Sequence, residues 1–324
     1  MTRKIILDSD PGIDDAMAIL FAEANSTIDL MAITTVYGNA MIENATNNAL
    51  FLKKKFNLKA DIVKGASKPI TKTPVGPTVI VHGETGFGDM LIPKQDEALI
   101  DSRPAYQYII DMVKENPGEI TLVAIGPLTN LALALKAAPE IVNLVKEVVI
   151  MGGAFGENGH RGNVTPYAEA NIHDDPHVAD AVFCAPWPVV IIGLDVTQQS
   201  FFSTDYLKSL CDQSNEVGEF MWQVNQYYLQ FYSKKLNLDG CFVHDPSAIA
   251  YVINPDLFTL RKGAVRVVTE GPAEAMTIQK LDDIRYPHDE WSDMPSQQVG
   301  IAVKDTELLD LFRQDIIDYA NNKV

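Results

Sequence analysis

Short runs of aliphatic and β-branched residues alternate along this chain with longer segments whose apolar positions recur every three or four residues. The runs at 4–7, 30–36, 120–125, 147–151 and 189–194 predict strands, and several are apolar throughout. An unbroken apolar run is the pattern of a strand covered on both faces. Helical spacing marks 14–24, 42–56, 105–114, 128–135, 176–184, 216–235 and 307–321. Alternation of the two predicts a mostly parallel open sheet flanked by helices, a Rossmann-like α/β arrangement. No internal repeat and no Pro/Gly/Ser linker divides the chain, so 1–324 reads as one large domain. Two glycine-punctuated stretches, 81–93 and 152–166, interrupt the pattern, and long loops in a compact α/β domain more often meet substrate than join domains. Ligands of such sheets gather at the carboxyl ends of strands. The polar segments that follow strands, 8–15, Tyr37-Gly38-Asn39, 126–130 and Gly152-Gly153, are therefore expected on one rim.

Composition narrows the class. Apolar residues make up 47% and charged residues 21%, as in ordinary globular proteins. The net charge of −17 and a pI near 4.7 speak against a nucleic-acid partner, which needs a clustered basic face. The one basic run, Lys53-Lys54-Lys55, lies on a predicted helix and reads as a solvated face. Three cysteines, Cys184, Cys211 and Cys241, form no CxxC and no even framework, which suggests a reducing compartment. No stretch has the length of a membrane span, and the N-terminus runs into a strand too short for a signal sequence. A cytoplasmic protein without membrane association is expected.

The densest local signal is Asp8-Ser9-Asp10-Pro11-Gly12-Ile13-Asp14-Asp15, with four aspartates at a strand-to-helix turn. Carboxylates so close repel one another, and no Lys or Arg stands nearby in sequence to offset them. A hard cation such as Ca²⁺ or Mg²⁺ is the natural counter-charge for oxygen donors. Helix capping accounts for one aspartate, or at most two.

This segment, continued by Ala16, resembles the N-terminal fingerprint of the inosine-uridine nucleoside hydrolase family. Further landmarks follow in the family's order: Asn39; His82-Gly83-Glu84-Thr85-Gly86; Gly126-Pro127-Leu128-Thr129-Asn130; Met151-Gly152-Gly153; Asn163; Glu169-Ala170-Asn171; and His244-Asp245-Pro246. The resemblance implies an N-ribohydrolase that splits ribonucleosides into base and ribose with a Ca²⁺-bound water. It places the metal on Asp10, Asp15, Asp245 and the backbone carbonyl of Ile125, and it suggests a homodimer or homotetramer. Calcium is favoured over magnesium because about five protein oxygens leave room in a shell of about six to eight.

Glycosidic cleavage needs an activated water on one face of the sugar and help for the leaving group on the other. Asp10 is the expected base and His244 the expected acid, since histidine titrates near neutrality. Asp14, Asn39, Asn163, Glu169 and Asn171 are expected to hold ribose hydroxyls, with His82 over the base. Tyr228 and Tyr232 share a helical face where purine-capable members of the family carry aromatics, although such a stripe is usually core. No tryptophan matches the one some members stack on the base, so base preference stays open. Two other classes also remain open: a Ca²⁺-dependent nucleoside-binding protein without turnover, and an aspartate-based phosphatase. The phosphatase lacks a basic residue near the turn to hold phosphate.

Overall fold

The central strand of the sheet is the first one in the chain. In the computed structural model, which describes residues 2–322, strand β1 (Arg3–Ser9) pairs in parallel with β2 (Ile28–Thr35) on one side and β5 (Ile120–Ala124) on the other. From β2 the chain steps outward through β3 (Asp61–Lys64) to β4 (Ile100–Asp101) at one edge. It then crosses back to β5 and continues through β6 (Glu147–Met151) and β7 (Val189–Ile192). A two-stranded ribbon, β8 (Phe201–Ser203) with β9 (Gly240–Phe242), stands apart. The far edge consists of β10 (Phe258–Val267), β11 (Thr277–Leu281) and β12 (Ser296–Val303), giving the order β11-β10-β12-β7-β6-β5-β1-β2-β3-β4. β12 joins β7 in parallel, and β10 is antiparallel to both β12 and β11. The direction of winding reverses between β1 and β5, so their carboxyl ends flank the crevice where open α/β sheets bind ligands.

Why the inner strands are apolar throughout is visible in their packing. In β1, Ile5 and Leu7 face one core and Ile6 the other; in β7, Val190 and Ile192 oppose Val189 and Ile191. Among the described residues, twelve helices flank the sheet. α1 (Ile13–Ala24), α2 (Ile42–Phe56), α3 (Val79–His82), α4 (Ala105–Glu115), α5 (Thr129–Ala137), α6 (Ala170–Asp174) and α7 (Pro176–Cys184) precede the β7 crossover. α8 (Leu194–Thr197), α9 (Thr204–Gln213), α10 (Asn215–Leu236), α11 (Asp245–Ile253) and α12 (Asp305–Asn322) follow it. The core on one face includes α1, α10, α11 and α12, and the core on the other includes α4, α5 and α7. α1 is buried from Ile13 to Ala22 because it packs on the sheet and against α10, α11 and α12 at once.

The expected mostly parallel, helix-flanked α/β sheet is observed, with several strands beyond those expected. β3 and β4 are too short to show a pattern. β10, β11 and β12 carry Arg261, Lys262, Gln279, Lys280 and Gln298 among their apolar residues. These edge strands are only partly covered, so their sequence lacks the unbroken apolar run of the centre. The strand expected at 189–194 ends at Ile192, where Gly193 turns the chain into α8. No described helix is long and apolar enough to cross a membrane, and all three cysteines are free.

Asn130, in the first turn of α5, ties the switch point together. Its amide donates to Asp8 Oδ1 at 2.7 Å and to the Thr35 carbonyl at 3.0 Å, and its Oδ1 accepts the Ala66 N–H at 2.9 Å. The side chain is fully buried. Replacing Asn130 by Ala removes all three bonds and leaves Asp8 Oδ1 with Thr34 Oγ1 alone, each loss costing about 1–3 kcal/mol. Asn130→Ala should therefore lower unfolding stability by roughly 3 kcal/mol or more in urea titrations; a change below about 1 kcal/mol would contradict this account.

Candidate active site

The turn after β1 carries the acidic cluster, and ordinary helix capping orients part of it. Gly12 is the N-cap of α1, and Asp15, at the third helical position, accepts the Gly12 N–H at 2.9 Å. Its carboxylate also accepts from Ser9 Oγ at 2.6 Å and Asn39 Nδ2 at 2.9 Å. Asp15 therefore caps α1 and at the same time belongs to the buried acidic cluster. Asn39 bridges two members of the cluster, since its backbone N–H also donates to Asp10 Oδ2 at 2.6 Å. Backbone must come close for this: a Cβ on Gly38 would overlap the Asp10 carboxylate, and one on Gly12 would lie 2.7 Å from His82 Nδ1.

Asp245, in the first turn of α11, completes the cluster from a distant part of the chain. Asp14, Asp15 and Asp245 offer carboxylate oxygens within 4.8 Å of one another, all buried. Asp10 stands beside this triple, with Oδ1 buried and unpartnered, as is Asp14 Oδ1. Burial raises the pKa of Asp10 well above the usual carboxylate range, and repulsion from Asp15 adds to it. Burial likewise lifts Asp14 to about 8 and Asp8 to about 7, and raises Asp245 strongly with help from its acidic neighbours. Such a group, all oxygen donors with orphaned lone pairs, fits a hard divalent cation. The Ile125 carbonyl lies at the same rim, where it accepts Asn171 Nδ2 at 2.9 Å and keeps a second lone pair.

A cavity of about 550 Å³ opens over this cluster. Its wall includes every residue given a catalytic, metal or substrate role from the sequence except Asp10 and Asp15, which are almost wholly buried. No Lys or Arg is among the lining residues. One side is polar. Glu169 caps α6, taking the N–H groups of Asn171, Ile172 and Gly153, and burial lifts its pKa to about 7. Asn171 holds the Ile125 and Met151 carbonyls, and Asn163 Oδ1 accepts the Ala170 N–H at 3.1 Å. These three therefore frame the rim as well as facing the cavity.

The opposite side is aromatic. Tyr228 and Tyr232 of α10 meet edge to face at 4.9 Å, Tyr228 lies 5.6 Å from the His82 ring, and Tyr232 lies 5.7 Å from Phe242. His82 Nδ1 accepts the Ile13 N–H at 3.3 Å, which leaves Nε2 as its protonated nitrogen. His244 is held at both nitrogens: Nδ1 by Thr197 Oγ1 at 2.8 Å and Nε2 by the Tyr232 hydroxyl at 3.4 Å. The expectation that His244 titrates near neutrality does not hold. Burial lowers its pKa to about 4 and that of His82 to about 3, so both rings are neutral at pH 7. His160, given no role from sequence, meets Gln198 Oε1 at 2.7 Å, and Gln198 lines the cavity. Thr197, Gln198 and Phe242 went unflagged in the sequence; the strand-end rule, applied after β7, points to the first two.

The fold and this site together define an α/β protein whose ligand cavity has an acidic, cation-fitting floor and an aromatic wall. The family model for inosine-uridine preferring nucleoside hydrolases matches residues 5–310, and the chain belongs to that family, whose members are N-glycosyl hydrolases acting on ribonucleosides. It is 40% identical over 290 residues to an inosine-uridine preferring nucleoside hydrolase of Leishmania major, covering 89% of this chain and 90% of the relative. Uridine nucleosidase 1 of Arabidopsis thaliana is 38% identical over 270 residues, covering 83% and 79%. Among solved structures, a plant nucleoside hydrolase superposes with a TM-score of 0.93 at 32% identity, covering 98% of this chain and 99% of its own. A purine-preferring ribonucleoside hydrolase from Gardnerella vaginalis gives 0.90 at 34%, covering 99% and 100%.

The raised carboxyl pKa values have a consequence for stability. Asp8 and Asp14 titrate near 3.8 when unfolded but at about 7 and about 8 when folded without a cation. Protonation thus favours the folded form, and the stability it contributes is complete below pH ~4 and lost as pH rises toward ~8. A bound divalent cation replaces those protons. The rise in Tm on adding a divalent cation to chelator-treated protein should be larger at pH 8 than at pH 5; an equal or smaller rise at pH 8 would refute the cluster as the binding site.

Proposed function

We propose that the chain hydrolyses neutral ribonucleosides of both base classes, inosine and uridine among them, with Ca²⁺ held by Asp10, Asp15, Asp245 and the Ile125 carbonyl. The observation that carries this reading is one cavity walled by buried carboxylates at its floor and by Tyr228, Tyr232 and two neutral histidines opposite. A nucleoside has the matching polarity, a hydroxyl-rich sugar joined to a flat aromatic base. When bound, the cation makes a coordinated water more acidic and helps gather the sugar hydroxyls. Asp10, with its unpartnered Oδ1, takes the proton of the attacking water. Asp14 faces the cavity and holds a ribose hydroxyl together with Asn39, Asn163, Glu169 and Asn171. Buried carboxylates below the ring also favour the positive charge that develops on the sugar during cleavage. His82, Tyr228 and Tyr232 pack on the base, and His244 donates from Nε2 to the departing ring as charge grows on it. The absence of a basic residue from the cavity wall supports neutral nucleosides over their 5′-phosphates. The reading extends to a cytoplasmic homodimer or homotetramer, which light scattering of the purified protein tests.

One observation favours a second ligand assignment. Asp14, not Asp10, shares the tight triple with Asp15 and Asp245. Calorimetric Ca²⁺ titration of Asp10→Asn and Asp14→Asn separates the two, because the true ligand is the one whose loss weakens binding more.

The roles of base and leaving-group donor come apart kinetically. Asp10→Asn should slow every substrate. His244→Ala should slow inosine by about 10²–10⁴-fold, roughly 3–5 kcal/mol of barrier, yet spare nitrophenyl riboside, whose leaving group needs no proton. Equal slowing of both substrates would reassign His244 to holding the sugar or Asp245. In the same assays kcat/KM for inosine should far exceed that for inosine monophosphate; parity would overturn the neutral-substrate reading.

A further inference from the structure

An imidazole ring can sit in its pocket in two flips that have nearly the same shape. They differ only in which edge carries nitrogen and which carries C–H. For His244 the difference matters, because only one flip presents Nε2 beside Tyr232 and the cavity. Thr197 sits on the far side of the ring, at the end of α8, fully buried, with its hydroxyl 2.8 Å from Nδ1. The bond is made whichever partner donates, and the other flip would place a C–H against the hydroxyl and leave it buried and unsatisfied.

Thr197 is itself rigidly placed. Its N–H donates to the Gly193 carbonyl at 3.1 Å, directly after β7. Two residues earlier, Asp195 accepts the Phe155 and Glu157 N–H groups at 2.8 and 2.7 Å, which anchors α8 to the glycine-punctuated loop 152–166. We propose that Thr197 is a positioning residue for the reaction: its hydroxyl selects the flip of His244 that presents Nε2 to the leaving base. This rests on the leaving-group role given to His244 above.

The test compares Thr197→Val, which keeps the branched shape and removes the hydroxyl, with Thr197→Ser, which keeps the hydroxyl. Each is assayed on inosine and on nitrophenyl riboside, beside His244→Ala and the Thr197→Val/His244→Ala double variant. Thr197→Val should lower kcat for inosine by about 10–100-fold, a part of what loss of the donor itself costs. KM and nitrophenyl riboside turnover should change less than about threefold, and Thr197→Ser should restore inosine turnover. Because Thr197 acts through His244, the double variant should be no slower on inosine than His244→Ala alone. Slowing of both substrates by Thr197→Val, failure of Ser to rescue, or an additive double variant would overturn the proposal. Should Thr197→Val fold poorly, the Ser variant decides: inosine turnover as low as that of His244→Ala would also overturn it. If His244→Ala slows both substrates alike, the reading of His244 falls and the proposal with it. If His244→Ala alone is selective, only the proposal falls.

Discussion

Burial of several carboxylates in one place, with no basic side chain on the cavity wall above them, is the constraint from which the rest of this structure follows. Asp8, Asp10, Asp14, Asp15 and Asp245 are each 4% exposed or less. Removing charges from water without a partner is expensive enough that such groups either neutralise or acquire a counter-ion. The surrounding chain meets part of that cost through hydrogen bonds from Ser9, Gly12, Asn39, Thr34 and Asn130. The first turn of α1, where backbone N–H groups point outward, is also a favourable place for anions. What these donors leave unmet, seen as the orphaned Oδ1 atoms of Asp10 and Asp14, defines the place a cation fits.

Sheet topology brings that constraint to a usable location. The winding reverses between β1 and β5, so the acidic turn and the Ile125 carbonyl share one crevice. α11 delivers Asp245 from late in the chain, and its neighbour His244 is carried with it toward the aromatic wall. The cavity thus has two ends of opposite character, one built on strand termini and the other on α10. Strand ends are fixed by the ladder on both sides, which suits groups that must hold a charge in place. α10 adds stacked rings whose positions depend on packing rather than on the ladder. The two histidines there are neutral because they are buried among rings, which suits donation of a hydrogen bond rather than pairing with a carboxylate.

Much of this was legible in the sequence because it is encoded locally. Two-sided burial writes an unbroken apolar run, so the central strands and their order of alternation with helices could be read directly. Four aspartates beside Pro11-Gly12 marked the candidate site, and the strand-end rule put them beside the Ile125 carbonyl, where the structure has them. The edge strands β10, β11 and β12 were not legible, since half-covered strands mix charge with apolar residues and lose a clear period.

Side-chain direction was decided only by the tertiary structure. Asp10 and Asp14 are equivalent as letters, yet Asp14 faces the cavity and Asp10 is buried against Gly38 and Asn39. Asn39 and Asn171 looked like sugar readers, but their amides also bind Asp15 and the Ile125 carbonyl. The neutrality of His82 and His244, and the grip of Thr197 on the latter, depend on partners far away in the chain. Residue type and spacing determine which chemistry is available and where an element begins. Which atom of a side chain meets solvent, a neighbour or a ligand depends on packing between distant segments, and no local pattern records it.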